Sequence, residues 1–470
     1  MAAARVKALP TSWQAPAPLV CRPPRAAPRR LVATRRALAG CVAFLDEPSA
    51  PAPDRAALPK LDIEETILLE GFGWQSCDSR RHWRTLREQV PSLASAGFTH
   101  VWLPPPSKSV SKEGYLPSQL YSLDSCYGSQ QELRALCDDL RTAGIRPVAD
   151  VVINHRCADA QDENGVWNIY KDLVPHAGRS IAWGRWAIAG SDRQFRGEGG
   201  ADSGDDYGPA PDLDHCNQEV RDGLVDWLNW LRSELGFEGW RFDFAKGYHP
   251  RFTAEYIERT CGPEAFCVAE LFLDLRWSNQ YLEYDQDGAR SRFRDWLKQA
   301  RHSVVFDIIT KGQLQEAVKH TQYDRLRDRD GKAPGLIGWW PARACTFVDN
   351  HDTGSTQQHW PFPRGAIDLG YAYILTHPGI PCIFLEHLAD GGLRTAITTL
   401  VSIRKRAGLR ADSKLEILAA DRDMYVARCG GNVTVKLGPR FDMPQHLVPR
   451  KQDGWALAAS GRDWAIWERA

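Results

Sequence analysis

The chain lacks any run of 18 apolar residues, which excludes a membrane-spanning helix. Its 12 cysteines include no Cys-x-x-Cys pair and show no metal-binding or redox spacing. They read as buried or idle thiols of a reducing compartment, with a regulatory pairing such as Cys126 with Cys137 left open. Neither sign of charge is in excess, with 59 basic and 59 acidic residues. That balance hides a split, because residues 1–60 hold ten Lys and Arg but three acids. The remaining body has 49 basic and 56 acidic residues, and this mild acidity argues against nucleic acid as a partner. No acid precedes Asp46, and the leader is rich in Arg, Ala and Pro without a long apolar segment. It reads as an organelle transit peptide rather than a secretory signal. The stretch LAGC at 38–41 looks like a lipoprotein box, but the apolar run before it is short and broken by Arg.

From about residue 65, short β-type runs alternate with helical patterns. The runs are ETILLEGF, THVWLPPP, RPVADVVINH, EGWRFDF, FCVAEL, SVVFDII, CTFVDN and PCIFLE. Between them lie segments such as QEVRDGLVDWLNWLRSELG. There Val220, Leu224, Trp227, Leu228, Leu231 and Leu235 recur at helical spacing, and Gly236 stands ready as the C-terminal cap. Eight βα units imply an α/β protein with a (β/α)8 TIM barrel over residues 61–409. Residues 155–216 are long, rich in Gly and Asp, and lack helical periodicity, so they read as an inserted subdomain after strand three. Residues 410–470 contain LEILAA, DMYVAR, NVTVKL, WALAAS and DWAIWE, which predict a separate C-terminal antiparallel β-sheet domain. Residues 1–60 form the leader.

The run GWRFDF places a full positive and a full negative charge in an apolar strand. Side chains alternate faces on a strand, so Arg241 and Asp243 project to one side. Arg241 is expected to hold Asp243 ionised, lowering its pKa by roughly 1–3. Barrel chemistry sits at the C-terminal strand ends. Those ends carry Asn154 and His155, then Arg241, Asp243 and Lys246, then Glu270, then His351 and Asp352. Glu270 follows FCVA and precedes LFL, an apolar setting that raises its pKa. One ionised carboxylate and one protonated carboxyl at a shared mouth suit glycoside hydrolysis by double displacement.

DVVINHR, GWRFDFAKGY, AEL and FVDNHD resemble the four sequence blocks of the α-amylase family, glycoside hydrolase family 13. LYSLD, GWWPA, FVDNHDTGSTQ and YAYILTHPGIPCIF resemble its plant-type members, over roughly residues 64–470. The resemblance implies Asp243 as nucleophile, Glu270 as general acid/base and Asp352 as the residue that binds and distorts the sugar. It implies that Arg241 orients Asp243, that His155 and His351 hydrogen-bond the central glucose, that Tyr115 stacks on it and that Lys246 contacts the next sugar. It implies calcium as cofactor, on Asn154, Asp202 and Asp212 side chains and the Asp205 and Gly247 carbonyls, with a second ion near Asp192, Asp206, Tyr207 and Ala210. Trp339 and Trp340 match a surface starch platform, and Tyr425 is a weaker candidate of the same kind. Phe272 and Leu116 depart from the residues familiar at their positions. The implied activity is endo-hydrolysis of α-1,4 bonds in starch, by a monomer with a glucan substrate and no nucleic-acid or membrane partner. The leader then points to the plastid. Two rivals stay open: an exo-acting or transglycosylating enzyme with the same site, and a starch-binding scaffold with a silent barrel.

Overall fold

A computed structural model describes residues 58–59, 61–174 and 180–469. The proposed leader, with Cys21 and Cys41, falls almost wholly outside the described residues. Eight short strands close into a parallel barrel in chain order. They are β1 (Leu68–Glu70), β2 (His100–Leu103), β3 (Arg146–Val151), β4 (Gly239–Phe242), β5 (Cys267–Ala269), β6 (Val304–Phe306), β7 (Ala344–Phe347) and β8 (Ile380–Phe384). Six lie within one of the eight apolar runs, and β7 and β8 begin one residue before theirs. Leu69 pairs with Val101 on one side and Ile383 on the other, which closes the ring. Nearly every strand residue is buried, because helices cover the outer face and side chains fill the inner one.

The helices are α1 (His82–Arg87), α2 (Val90–Ala96), α3 (Gln130–Thr142), α4 (Gln218–Leu235), α5 (Pro250–Arg259), α6 (Asp287–Ala300), α7 (Ile308–His320), α8 (Ile367–Thr376), α9 (Leu385–Ala389) and α10 (Gly391–Arg406). α3 starts with a reciprocal cap: Ser129 Oγ accepts from the Glu132 amide, and the Glu132 carboxylate accepts from the Ser129 amide. In α4 all six residues of the expected apolar stripe are buried, and Gly236 ends the helix in the left-handed region at φ 78°.

Among its described residues the inserted segment holds one short hairpin, Ala160–Gln161 with Trp167–Ile169, and a single turn of helix at Arg185–Ala187. Side chains hold it in place of regular structure. Buried Arg156 donates to the Ser118 and Ile181 carbonyls and lies over the rings of Tyr170 and Trp183. The segment docks on the turn after β4, where the Asp205 amide donates to the Lys246 carbonyl at 3.0 Å and the His249 amide donates to Ser203 Oγ at 3.2 Å.

β9 (Leu415–Ala420), β10 (Tyr425–Cys429), β11 (Val433–Leu437), β12 (Trp455–Gly461) and β13 (Trp464–Arg469) form one antiparallel sheet in the order β9-β10-β11-β13-β12. Trp464 Nε1 donates to Asp368 of α8 at 2.8 Å and ties this sheet to the barrel. Tyr425 is not a surface residue, which corrects the expectation of a glucan platform there. It is wholly buried, and its hydroxyl meets His377 Nε2 at 2.9 Å. It sits on the inner face of β10, where packing against α8 uses its ring.

Among the described residues the structure forms no disulfide, and that includes the candidate bridge between Cys126 and Cys137. The thiols that do approach are Cys261 and Cys267, 3.4 Å apart. Among the described residues no helix is long and apolar enough to cross a membrane.

Candidate active site

Three carboxylates touch one buried guanidinium at the C-terminal mouth of the barrel, and a fourth faces them. Arg241 Nη1 donates to Asp243 Oδ1 at 2.6 Å and to both Asp150 oxygens at 2.9 and 3.1 Å. Its Nη2 lies 3.1 Å from Glu270 Oε1. Asp352 faces both Asp243 and Glu270 closely enough to raise each. The three expected catalytic carboxylates therefore do converge, delivered by β4, β5 and the loop after β7.

Strand alternation explains part of this. Arg241 points into the barrel from β4, and Asp243 follows two residues later at the strand end. Phe244 then takes the left-handed region at φ 42°, a strained conformation for a bulky residue. That bend aims the Phe244 amide at Glu270 Oε2, 3.1 Å away. The Glu270 carbonyl accepts from the Ala245 amide at 3.0 Å, so β5 and the turn after β4 fix each other.

The electrostatics correct one expectation. Arg241 does not bring Asp243 below the ordinary Asp range. Burial outweighs it and pushes Asp243 up to about 6, with the neighbouring Asp150 and Asp352 adding to the rise. One guanidinium is shared among three carboxylates, so its effect on any one is diluted. Glu270 is raised to about 7, chiefly by burial, then by Asp243 and Asp352. The expected order survives: Asp243 loses its proton before Glu270.

The expected sugar contacts are arranged around this centre. Tyr115 is half-buried, with its ring parallel to those of His351 and Trp74 at 5.3 and 6.1 Å. His351 lies on the same wall, with Nε2 3.5 Å from Asp352 Oδ2. His155 is buried and pushed down to about 4, so it is neutral. Its Nε2 lies 2.9 Å from the Tyr115 carbonyl and its ring stacks on Tyr207 at 3.8 Å. Lys246 lies over the Phe244 ring and 3.6 Å from Asp205. Phe272 is half-buried, its ring parallel to Phe347, and Leu116 packs with Cys157 and Ala210. Trp339 lies against α6, and the Arg343 guanidinium lies 5.7 Å from the Trp340 ring. Both are half-buried, and the Arg290 guanidinium lies 4.1 Å from the Trp339 ring.

The residues expected to hold calcium also come together. Asn154 Nδ2 donates to Asp212 Oδ1 at 2.9 Å, and Asp212 Oδ2 accepts from the Tyr207 amide. Asn154 Oδ1 is buried without a hydrogen-bond partner. A methyl group on Gly247 would fall 2.1 Å from that oxygen, so the turn approaches it only because residue 247 has no side chain. Burial pushes Asp212 up to about 9, and neighbouring Asp202, Asp192 and Asp206 add to it. Asp192 accepts from the Asp212 amide at 3.1 Å, Asp205 and Asp206 are exposed, and Ala210 is buried. Among the described residues no group of three or more His, Cys, Asp or Glu is arranged to hold a metal. An ion here would depend on mixed amide, carbonyl and carboxylate oxygens, a set that suits a hard cation.

Two residues of the mouth were not singled out from sequence. Asp150 of β3 takes both Arg241 and the Trp102 indole, and Glu70 of β1 contacts His351 at 2.6 Å. Each is a lone charge inside an apolar strand run, the same signal that marked GWRFDF.

Comparisons with known proteins agree with this geometry. Residues 76–174 match the model of the α-amylase catalytic domain, and residues 406–468 match that of the α-amylase C-terminal β-sheet domain. A probable α-amylase 2 of Arabidopsis thaliana is 41% identical over 406 residues, covering 86% of this chain and 94% of that protein. A chloroplastic α-amylase 3 from the same plant is 40% identical over 403 residues, and this chain spans 44% of its length. The structure of an Anoxybacillus α-amylase superposes with a TM-score of 0.61 at 16% identity, covering 87% of this chain and 99% of that one. That likeness shows the fold. The chain thus belongs to the α-amylase family of glycoside hydrolases.

Proposed function

We propose that the protein cuts internal α-1,4 bonds of starch and related glucans with retention of configuration. The observation that carries this reading is the contact of Arg241 with both Asp243 and Glu270, at 2.6 and 3.1 Å. One guanidinium touching both groups brings nucleophile and acid to one mouth, where both can act on the same glycosidic bond, and the α-amylase family points to the retaining course. Asp243, the first to ionise, attacks the anomeric carbon and forms the glycosyl ester. Glu270, still protonated, gives its proton to the leaving oxygen and then takes one from the incoming water. Asp352 and His351 flank the same space, where Asp352 binds the hydroxyls of the reacting glucose. Tyr115 gives that sugar a flat wall, and Lys246 reaches the next one.

Calcium is part of the proposal. Its support is the unpartnered Asn154 Oδ1, the side-chain-free approach of Gly247 and the raised Asp212. Asn154, Asp202, Asp212 and the Asp205 and Gly247 carbonyls would hold the ion. A second ion would lie near Asp192, Asp206, Tyr207 and Ala210. When bound, the ion supplies charge neutralisation that pins the insert to β3 and to the turn after Asp243. Trp339 and Trp340 would offer a surface platform for glucan. The acid-poor leader, and the chloroplastic name of one relative, favour a plastid address.

The test is proton NMR of the first products from soluble starch, paired with an end-blocked maltooligosaccharide. Cleavage of the blocked substrate with release of the α-anomer is expected. Initial β-anomer would remove the retaining mechanism, and an untouched blocked substrate would favour an exo-acting enzyme.

A further inference from the structure

Glu70 lies at the end of β1, wholly buried, where no sugar reaches it. Its Oε1 accepts from the His351 amide at 3.1 Å and lies 2.6 Å from His351 Nδ1. Its Oε2 is buried without a hydrogen-bond partner. On the other side of the ring, His351 Nε2 lies 3.0 Å from the Tyr115 hydroxyl, which lies 2.9 Å from Asp150 Oδ2. Asp150 also receives Arg241 and the Trp102 indole, so its oxygens are acceptors. The single proton of Tyr115 therefore points to Asp150. The Tyr115 oxygen must accept from His351, and Nε2 must carry a proton. Oε1 of Glu70 already accepts from a backbone amide, so when Glu70 is ionised Nδ1 carries a proton too. The result is one hydrogen-bond chain, Glu70–His351–Tyr115–Asp150–Arg241–Asp243, from the end of β1 to the nucleophile, in which His351 and Arg241 donate on both sides and Asp150 accepts on both sides.

We propose that Glu70 is a positioning residue: its carboxylate keeps the buried His351 doubly protonated and thereby fixes Tyr115 as a donor to Asp150, the partner of the Arg241 that holds Asp243. The charged and titratable groups facing His351 are Glu70 from β1, Tyr115 from the loop after β2, Asp150 from β3, Arg241 from β4 and Asp352 beside it in the chain. Phe72, Trp74 and Trp102 close the rest of its surface. Burial works to strip the proton from His351, and Asp352 and Glu70 oppose it, so His351 is raised to about 9. Glu70 itself is raised to about 7 by burial. Below that pH it is neutral and resembles glutamine. Above it the carboxylate forms where His351 would otherwise deprotonate. Without the charge, His351 keeps one proton on Nδ1 at high pH. Nε2 then accepts from Tyr115, and Asp150 loses a hydrogen bond.

This deepens the glycosidase reading and rests on it, but one arm of the test does not. In that arm the ¹⁵N shifts of His351 are followed in the wild-type chain, assigned by their loss in His351→Gln. Both ring nitrogens are expected to stay protonated at pH 8.5, and in Glu70→Gln one proton is lost by that pH. In the other arm kcat/KM of Glu70→Gln is divided by the wild-type value across pH. The ratio should lie within about twofold of one at pH 5.5. It should fall about threefold by pH 8.5 and approach tenfold only above about pH 9.5, as a His351 titration moved down from about 9 by roughly one pH unit requires. Dividing by wild type cancels the Glu270 limb. A constant ratio, or a wild-type His351 that is neutral at pH 8.5, overturns the proposal. If Glu70→Gln does not fold, the wild-type shifts decide. If His351 behaves as expected but neither protein cleaves glucan, the fault lies with the glycosidase reading.

Discussion

Replacing Arg241 with Met removes the one cation that Asp150, Asp243 and Glu270 share. All three lie within 3.1 Å of its terminal nitrogens, and Arg241 is 1% exposed. Breaking a buried pair by deleting one partner costs about 3–5 kcal/mol. The cost depends on pH, and its sign follows from the titration. Burial already raises Asp243 and Glu270 to about 6 and about 7, with Arg241 opposing the rise in both. Without Arg241 both go higher, so the folded chain binds more protons than the unfolded one. Stability then falls as pH rises above the ordinary carboxylate range near ~4. The fall is about 1.4 kcal/mol for every pH unit by which one carboxyl titrates later in the folded chain. Urea unfolding of Arg241→Met should show a loss near the full range at pH 8 and a clearly smaller one at pH 5. Turnover should fall by about 10²–10³, as for loss of one preorganised charge in an active site. An equal loss of stability at both pH values, or turnover above a tenth of wild type, would refute the shared-cation account.

Three further outcomes follow from the site. The pH profile of kcat/KM should be bell-shaped, falling below about 6 as Asp243 takes a proton and above about 7 as Glu270 loses one; a profile still rising at pH 8 would remove Glu270 as the acid. Asp243→Asn should abolish turnover yet leave glucan binding measurable by affinity electrophoresis, and near-normal turnover would move the nucleophile elsewhere. Chelation should lower the melting temperature of wild type, and Gly247→Ala should weaken calcium's protection by pressing a methyl against Asn154; a melt indifferent to both chelator and calcium would remove the ion.

The site was legible where charge broke an apolar strand. GWRFDF and FCVAEL placed Asp243 and Glu270 at strand ends, because period-two alternation and the barrel's polarity leave them one place to meet. The eight strands and the α4 stripe were legible for the same reason, since burial on fixed faces writes a period into the chain. Asp150 and Glu70 carry the same mark, but nothing in their order along the chain says which partner each finds. The titration of Asp243 was not legible, because it depends on how many carboxylates share Arg241. That number is set by β3 and β5 closing on either side of β4. Tyr425 shows the limit from the other side: an aromatic in a terminal strand has two faces available, and only docking of the sheet on α8 decided which was covered.

Sequence alone determined the barrel and the terminal sheet, which follow from local periodicity, and it marked the carboxylates at the strand ends, whose roles the resemblance to the α-amylase family implied. Tertiary structure decided the charge state of each group and the hydrogen-bond chain that links Glu70 to Asp243. Those depend on burial and on neighbours as much as 281 residues away along the chain.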